Sequence, residues 1–229
     1  MFLGHFAVGF GAKAAAPRVS LGALFFAAQF LDLLWPILLL LGLERARVVP
    51  EHPPGPPLEF THYPFSHSLL MVLVWSVLVG VGYFLLQRQR KGAWVMGLAV
   101  LSHWLLDLLA HYPDLPLYPG DSPKLGFGFW SLPGLEFAYE LGLFAICLGF
   151  YLRTTWAVDK VGRWGLAALV ALLLLIQLAN TLGPPPPGIA AVAWAGQAQW
   201  LLVLMGYWVD SHRRSARAFQ TTFGKSTLW

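Results

Sequence analysis

Six stretches of this chain are long and apolar enough to cross a bilayer: residues 21–43, 69–86, 93–110, 136–152, 164–182 and 189–209. About 20 apolar residues in helical form span a hydrocarbon core. Lipid offers no partners to backbone N–H and C=O groups, so such segments must satisfy their hydrogen bonds internally, as helices. The six take up about half of the 229 residues and leave no length for a separate soluble domain. Composition agrees: 11% of residues are charged, against roughly 25% in a soluble domain. A further apolar, glycine-rich stretch, residues 1–16, precedes the first span. Ala14, Ala15 and Ala16 resemble a signal-peptide cleavage site, but no basic region precedes them and Gly4, Gly9 and Gly11 interrupt the run. The expected fold is therefore all-α: a polytopic membrane helical bundle with six full spans plus a short N-terminal hydrophobic segment. Pro36 is expected to kink the first span.

The net charge of +4 has a topological meaning in such a chain, and nucleic acid is not an expected partner. Arg88, Arg90 and Lys91 follow the second span, Arg153, Lys160 and Arg163 the fourth, and Arg213, Arg214, Arg217 and Lys225 the sixth. By the positive-inside rule these lie in the cytoplasm. The loops carrying His62 and Asp114 then face outward. Lys13 and Arg18 stay inside, and His5 reaches the outer half if residues 2–16 enter from outside. The expected location is the bacterial-type inner (plasma) membrane, crossed several times, with the bilayer itself as the main partner.

Against this apolar background the ionisable residues stand out, because a charge inside a membrane is costly and defaults to function. The third span contains His103 and Asp107, and His111 directly follows it, each four residues apart and so on one helical face. At 1.5 Å per residue, Asp32 and His103 fall near the midplane. Asp107 and Glu140 lie in the outer half, and His67, His111 and Glu136 toward the outer surface. Imidazoles and carboxylates from four or more segments thus share one depth range. They are the usual ligands of divalent metals, zinc first, with manganese or iron as alternatives. The candidate ligands are His5, Asp32, His62, His67, His103, Asp107, His111 and Glu140. Asp32 and Glu140 are the candidate catalytic carboxylates. His52 and His212 read as surface residues. Cys147, the only cysteine, excludes an internal disulfide and a cysteine-based zinc site. The eleven tryptophans suit interfacial belts.

His62 and His67-Ser68, followed by His103-(three residues)-Asp107 in an apolar helix, with an earlier His5 and Asp32, resemble the inner-membrane-associated metal-dependent hydrolases, a family also described as LexA-binding. The resemblance covers about residues 1–152; the last two spans add nothing to it. The family's Leu-Pro-Asp-x-Asp run stands here as Gln29-Phe30-Leu31-Asp32-Leu33-Leu34, one acid short. The ligand order is remotely similar to that of zinc-dependent phospholipases C and single-strand-specific zinc nucleases. Those also use their mature N-terminal residue as a ligand, which this chain is not expected to copy.

The resemblance implies a membrane-embedded hydrolase acting through a metal-activated water, with a phosphoester such as a lipid or lipid-linked phosphate as substrate. Two alternatives stay open. One is a proton- or metal-coupled transporter, although no inverted repeat is visible. The other is a non-catalytic membrane protein with a structural metal. The organisation expected is a metal-site membrane core over 1–152, two additional transmembrane helices over 153–209 and a basic cytoplasmic tail over 210–229.

Overall fold

The computed structural model of the chain describes residues 1–49 and 55–215. It is a helical bundle. Helix α1 (Leu3–Ala15) is followed by α2 (Leu21–Ala28) and α3 (Phe30–Leu40), then by strands β1 (Arg45–Val48) and β2 (Leu58–His62). The one-turn helix α4 (Pro64–His67) leads into α5 (Leu69–Gln87), and α6 (Arg90–Ala110) returns beside it. Strands β3 (Leu115–Pro116) and β4 (Lys124–Leu125) precede α7 (Pro133–Thr154), β5 (Thr155–Ala157) and α8 (Lys160–Leu182). Helices α9 (Ile189–Gln197) and α10 (Gln199–Ser211) and strand β6 (Arg213–Ser215) close the described chain. Five helical segments are long and apolar enough to span a membrane, and the bent pair α2–α3 makes a sixth.

The connections explain the arrangement. Only Arg88 and Gln89 separate α5 from α6, with Arg88 in the left-handed region at φ 56°. So short a link forces antiparallel neighbours. Small residues let the two helices come close: a Cβ on Gly80 would sit 3.0 Å from the Ala93 carbonyl oxygen, and one on Gly97 would sit 2.9 Å from that of Ser76. The first span does not break at Pro36, where the kink was expected. It bends by 57° at Gln29, between α2 and α3, whereas Pro36 lies within the continuous α3. Gln29 is fully buried and holds φ −97°, ψ 5°, outside helical geometry.

The proline-rich loop is a hairpin on its described part, with β1 and β2 antiparallel. His52 lies outside the described residues. The opposite end of the bundle is tied by charge. Lys13, 4% exposed, bonds Asp210 at 2.6 Å, and Leu21 N–H and the Tyr151 hydroxyl also donate to Asp210. Helix α10 is thereby pinned to α1, α2 and α7. The tail is not wholly solvated either: β6 pairs antiparallel with β5, and Arg213 donates to the Thr155 and Gly162 carbonyls. Residues 216–229 of the expected tail lie outside the described residues. His212 bonds Asp159, on the same basic end. Helix α1 therefore runs from the end opposite these basic residues toward them, and His5 sits in the other half, as the re-entrant reading requires.

Candidate functional site

Five segments converge on Asp107. It projects from α6 and is 2% exposed. His103, one turn earlier, places Nε2 3.3 Å from Asp107 Oδ2 and 3.6 Å from Asp32 Oδ1. Asp32 stands in the first turn of α3, just past the bend. His67, the last residue of α4, places Nε2 3.7 Å from each of the same two carboxylates. His5 of α1 approaches Asp107 Oδ1 at 3.1 Å and stacks on the His103 ring at 3.5 Å. His111, directly after α6, points Nε2 at Asp107 Oδ1 from 3.9 Å. Among the described residues, two groups of donor atoms are close enough to hold an ion: His5, His103 and Asp107, and Asp32, His67 and His103. They share His103.

The bonds behind the imidazoles fix which nitrogen faces the centre. The bend at Gln29 lies beside Ala28, whose carbonyl accepts from His103 Nδ1–H at 2.8 Å. Ser66 has one hydroxyl proton, which it donates to Glu44 Oε2 at 2.6 Å, so its contact with His67 Nδ1 at 2.7 Å must be donated by His67. Glu44 is itself 2% exposed and accepts from the Phe65 and Ser66 N–H groups. His111 Nδ1 donates to Asp114 Oδ1 at 2.9 Å. Tyr63 donates to the same oxygen at 2.8 Å. Burial, and then the Asp114 charge, hold the Tyr63 phenol well above its ordinary range, so it remains a donor. In all three imidazoles Nδ1 carries a proton and Nε2 is turned toward carboxylates. Outer partners of this kind set the tautomer of metal-binding histidines. His103 Nε2 and His5 Nδ1 are buried and have no hydrogen-bond partner.

Aromatic residues roof the outer side. Trp130 packs on the His111 ring with centroids 4.0 Å apart, and Phe60 from β2 lies 5.1 Å from it. Trp104 N–H donates to the His67 carbonyl at 2.9 Å. These two tryptophans thus serve the site as well as any interfacial belt. Asp32, with 24% of its side chain exposed, is the open edge of an otherwise closed cluster.

Two of the residues expected here sit elsewhere. His62 is exposed at the end of β2, paired with Arg45. Glu140 is buried but caps α1: its Oε2 accepts from Phe2 N–H at 3.1 Å and Gly4 N–H at 2.7 Å, and its Oε1 accepts from Gln177 of α8. A carboxylate at a helix N-terminus is favoured by the dipole and by the unpaired N–H groups there. The amino group of Met1, not expected to reach the site, lies 3.0 Å from Asp107 Oδ1. Glu44, Ser66, Tyr63 and Asp114 were not singled out as site residues. Of these only Asp114 carried a local signal, three residues beyond His111, and Ser66 stands beside His67 in the sequence.

Fold and site together define a polytopic helical membrane protein with a buried histidine–aspartate centre toward one end. The chain belongs to the YdjM inner membrane protein family, whose model matches residues 1–184. It is accordingly a multi-pass protein of the inner membrane. The match runs beyond residue 152 through α8, the helix that contributes Gln177 to Glu140. No curated protein and no solved structure matches the chain.

Proposed function

We propose that this protein is a membrane-embedded, metal-dependent hydrolase whose substrate is a phosphoester, in the form of a lipid or lipid-linked phosphate. One observation carries the reading. The Nε2 atoms of His67 and His103 face the Asp32 and Asp107 carboxylates across 3.3–3.7 Å. A positive centre has to lie between such groups, either a proton on Nε2 or a metal ion. The distances are longer than the roughly 2.7–2.9 Å of a charge-assisted hydrogen bond. Ligands held at about 2.0–2.1 Å around a tetrahedral zinc stand roughly 3.4 Å apart. The donor set, imidazole plus carboxylate without thiolate, fits zinc, manganese or iron.

Asp32, His67, His103 and Asp107 would hold one ion; His5 with His103 and Asp107 is the alternative set, because the one free nitrogen of His103 binds a single ion. A divalent ion there supplies Lewis-acid polarisation of a phosphoryl oxygen and acidifies water. The chain contributes the rest. Ser66, Ala28 and Asp114 hold the imidazoles in one orientation, and the roof of Phe60 and Trp130 keeps bulk water off the outer side. Asp32, at the open edge, is placed to accept a proton from water. Its position in the membrane half opposite the basic loops favours a substrate that arrives laterally from the outer leaflet.

The test is turnover of a phosphoester panel, including phosphatidic acid and an isoprenyl phosphate, by purified protein supplied with Zn2+. Wild type is expected to release product in a chelator-sensitive manner, and Asp32→Asn to lower the rate by roughly a hundredfold or more. Bound metal with no turnover on any substrate would assign the centre a structural role. Ion flux in proteoliposomes that Asp32→Asn abolishes would assign the protein to transport.

A further inference from the structure

A second feature lies at the opposite end of the bundle from the metal-ligand cluster and uses none of its ligands. Between α2, α5 and α6 runs a cavity of about 540 Å³, mostly apolar. Phe30 and Trp75, in ring contact at 5.6 Å, stand at its inner end. Leu78, Val79 and Tyr83 line it toward the cytoplasmic end, where Gln87 and Arg18 stand at the mouth. From Trp75 to Gln87 is about 18 Å at 1.5 Å per residue. That is slightly more than one leaflet's share of a roughly 30 Å hydrocarbon core.

A second cavity of about 370 Å³ adjoins it and shares Arg18. Its walls include Arg88, Arg90 and Lys91. An apolar slot as deep as one leaflet therefore lies beside a basic chamber at the membrane surface. Arg88 is held toward this chamber by the left-handed turn that links α5 to α6. The cluster is more than a cytoplasmic-loop bias, because the three residues line one cavity that has Arg18 in common with an acyl-sized slot.

We infer that this groove binds one anionic phospholipid of the cytoplasmic leaflet. An acyl chain lies along α5 as far as Phe30 and Trp75, and the phosphate sits among Arg88, Arg90 and Lys91. Basic pockets between transmembrane helices on the cytoplasmic side recognise such headgroups by charge. Shape and charge here require both parts of the ligand, a chain and an anion. A free phosphate would leave the slot empty, and a zwitterionic lipid would gain little from the three cations.

Gly82 offers a clean way to close the slot. It lines the cavity, and a Cβ built on it meets no atom within 4 Å. Gly82→Phe therefore starts from open space at its Cβ and puts a ring at the groove wall. The experiment is native mass spectrometry of the full-length protein, delipidated and then titrated with phosphatidylglycerol or phosphatidylcholine of matched chains. Elution as a single species and an unchanged unfolding temperature qualify each variant as folded.

Wild type is expected to bind one phosphatidylglycerol saturably and in preference to phosphatidylcholine. Each neutralised charge is expected to weaken that binding about fivefold, and Arg88→Gln/Arg90→Gln/Lys91→Gln together about a hundredfold. Gly82→Phe is expected to abolish it. Inorganic phosphate is expected not to compete at concentrations that saturate the lipid. Equal binding of the two lipids, retention by the triple variant, or full binding by folded Gly82→Phe would each overturn the inference. Metal content and phosphoester turnover play no part in the readout.

Discussion

Ser66→Ala separates an organised metal centre from a chance gathering of histidines. Ser66 is fully buried, and its single hydroxyl joins Glu44 Oε2 at 2.6 Å to His67 Nδ1 at 2.7 Å. Removing it leaves a carboxylate oxygen and an imidazole N–H without that partner in a dry site. An unsatisfied buried polar group costs about 1–3 kcal/mol, so the variant should lose roughly 2–4 kcal/mol of stability if neither group finds water. The effect on metal is separable. Without an acceptor at Nδ1, His67 is free to rotate or to carry its proton on Nε2, the nitrogen facing Asp32 and Asp107. Loss of an outer partner of this kind typically lowers metal affinity 10–100-fold, equivalent to about 1.4–2.7 kcal/mol. Zn2+ affinity measured by competition with a chromophoric chelator, on detergent-solubilised protein, reads this directly. Ser102→Ala is the control: Ser102 adjoins His103 in sequence, but its hydroxyl donates back to the Ala99 carbonyl, and its affinity should stay at wild type. Unchanged Zn2+ affinity in folded Ser66→Ala would refute the reasoning that these outer bonds orient the ligands.

Three further outcomes are expected. Asp114→Ala leaves His111 Nδ1 and the Tyr63 hydroxyl without their shared acceptor and should cost about 1–3 kcal/mol of stability in thermal unfolding. Glu140→Ala uncaps α1 and leaves the Phe2 and Gly4 N–H groups unpaired, which should cost about 2–4 kcal/mol of stability in thermal unfolding, while Glu140→Gln keeps bound metal near wild type because neither carboxylate oxygen faces the ion site. At the N-terminus of α8 the Gly162 N–H, and then His212, lower the Asp159 carboxyl below its ordinary 3.8. Stabilisation from this cap is therefore complete above that value and fades as pH falls through the lowered one, so the unfolding temperatures of wild type and Asp159→Ala should converge in acid.

Much of this was legible in the sequence, and for physical reasons. The spans are set by the backbone's need to hydrogen-bond internally in lipid, and the stretch read as 69–86 is the helix Leu69–Gln87. His103 and Asp107 share a face because the helical period puts them there. Depth put Asp32 and His67 in one range, and His5 joined them on the topology in which residues 2–16 enter from outside. Side-chain bonds across long separations were not legible. Glu44 reaches Ser66 over 22 residues, and Glu140 reaches Gly4 over 136. Glu140 was expected as a ligand because its depth is right, but depth does not distinguish a carboxylate facing an ion from one capping a helix. The bend at Gln29 was hidden for a similar reason. Pro36 is the obvious local helix breaker, yet the break falls where the Ala28 carbonyl accepts from His103, 75 residues away.

The central claim is that the imidazoles and carboxylates around Asp107 enclose a divalent ion. Elemental analysis of protein purified without chelators, wild type beside His103→Ala and Asp107→Ala, tests it most directly. The account predicts at least one equivalent of a divalent metal in wild type and its loss from both variants while they elute as folded, monodisperse protein. Wild type free of stoichiometric metal, or variants that retain it in full, would contradict the account.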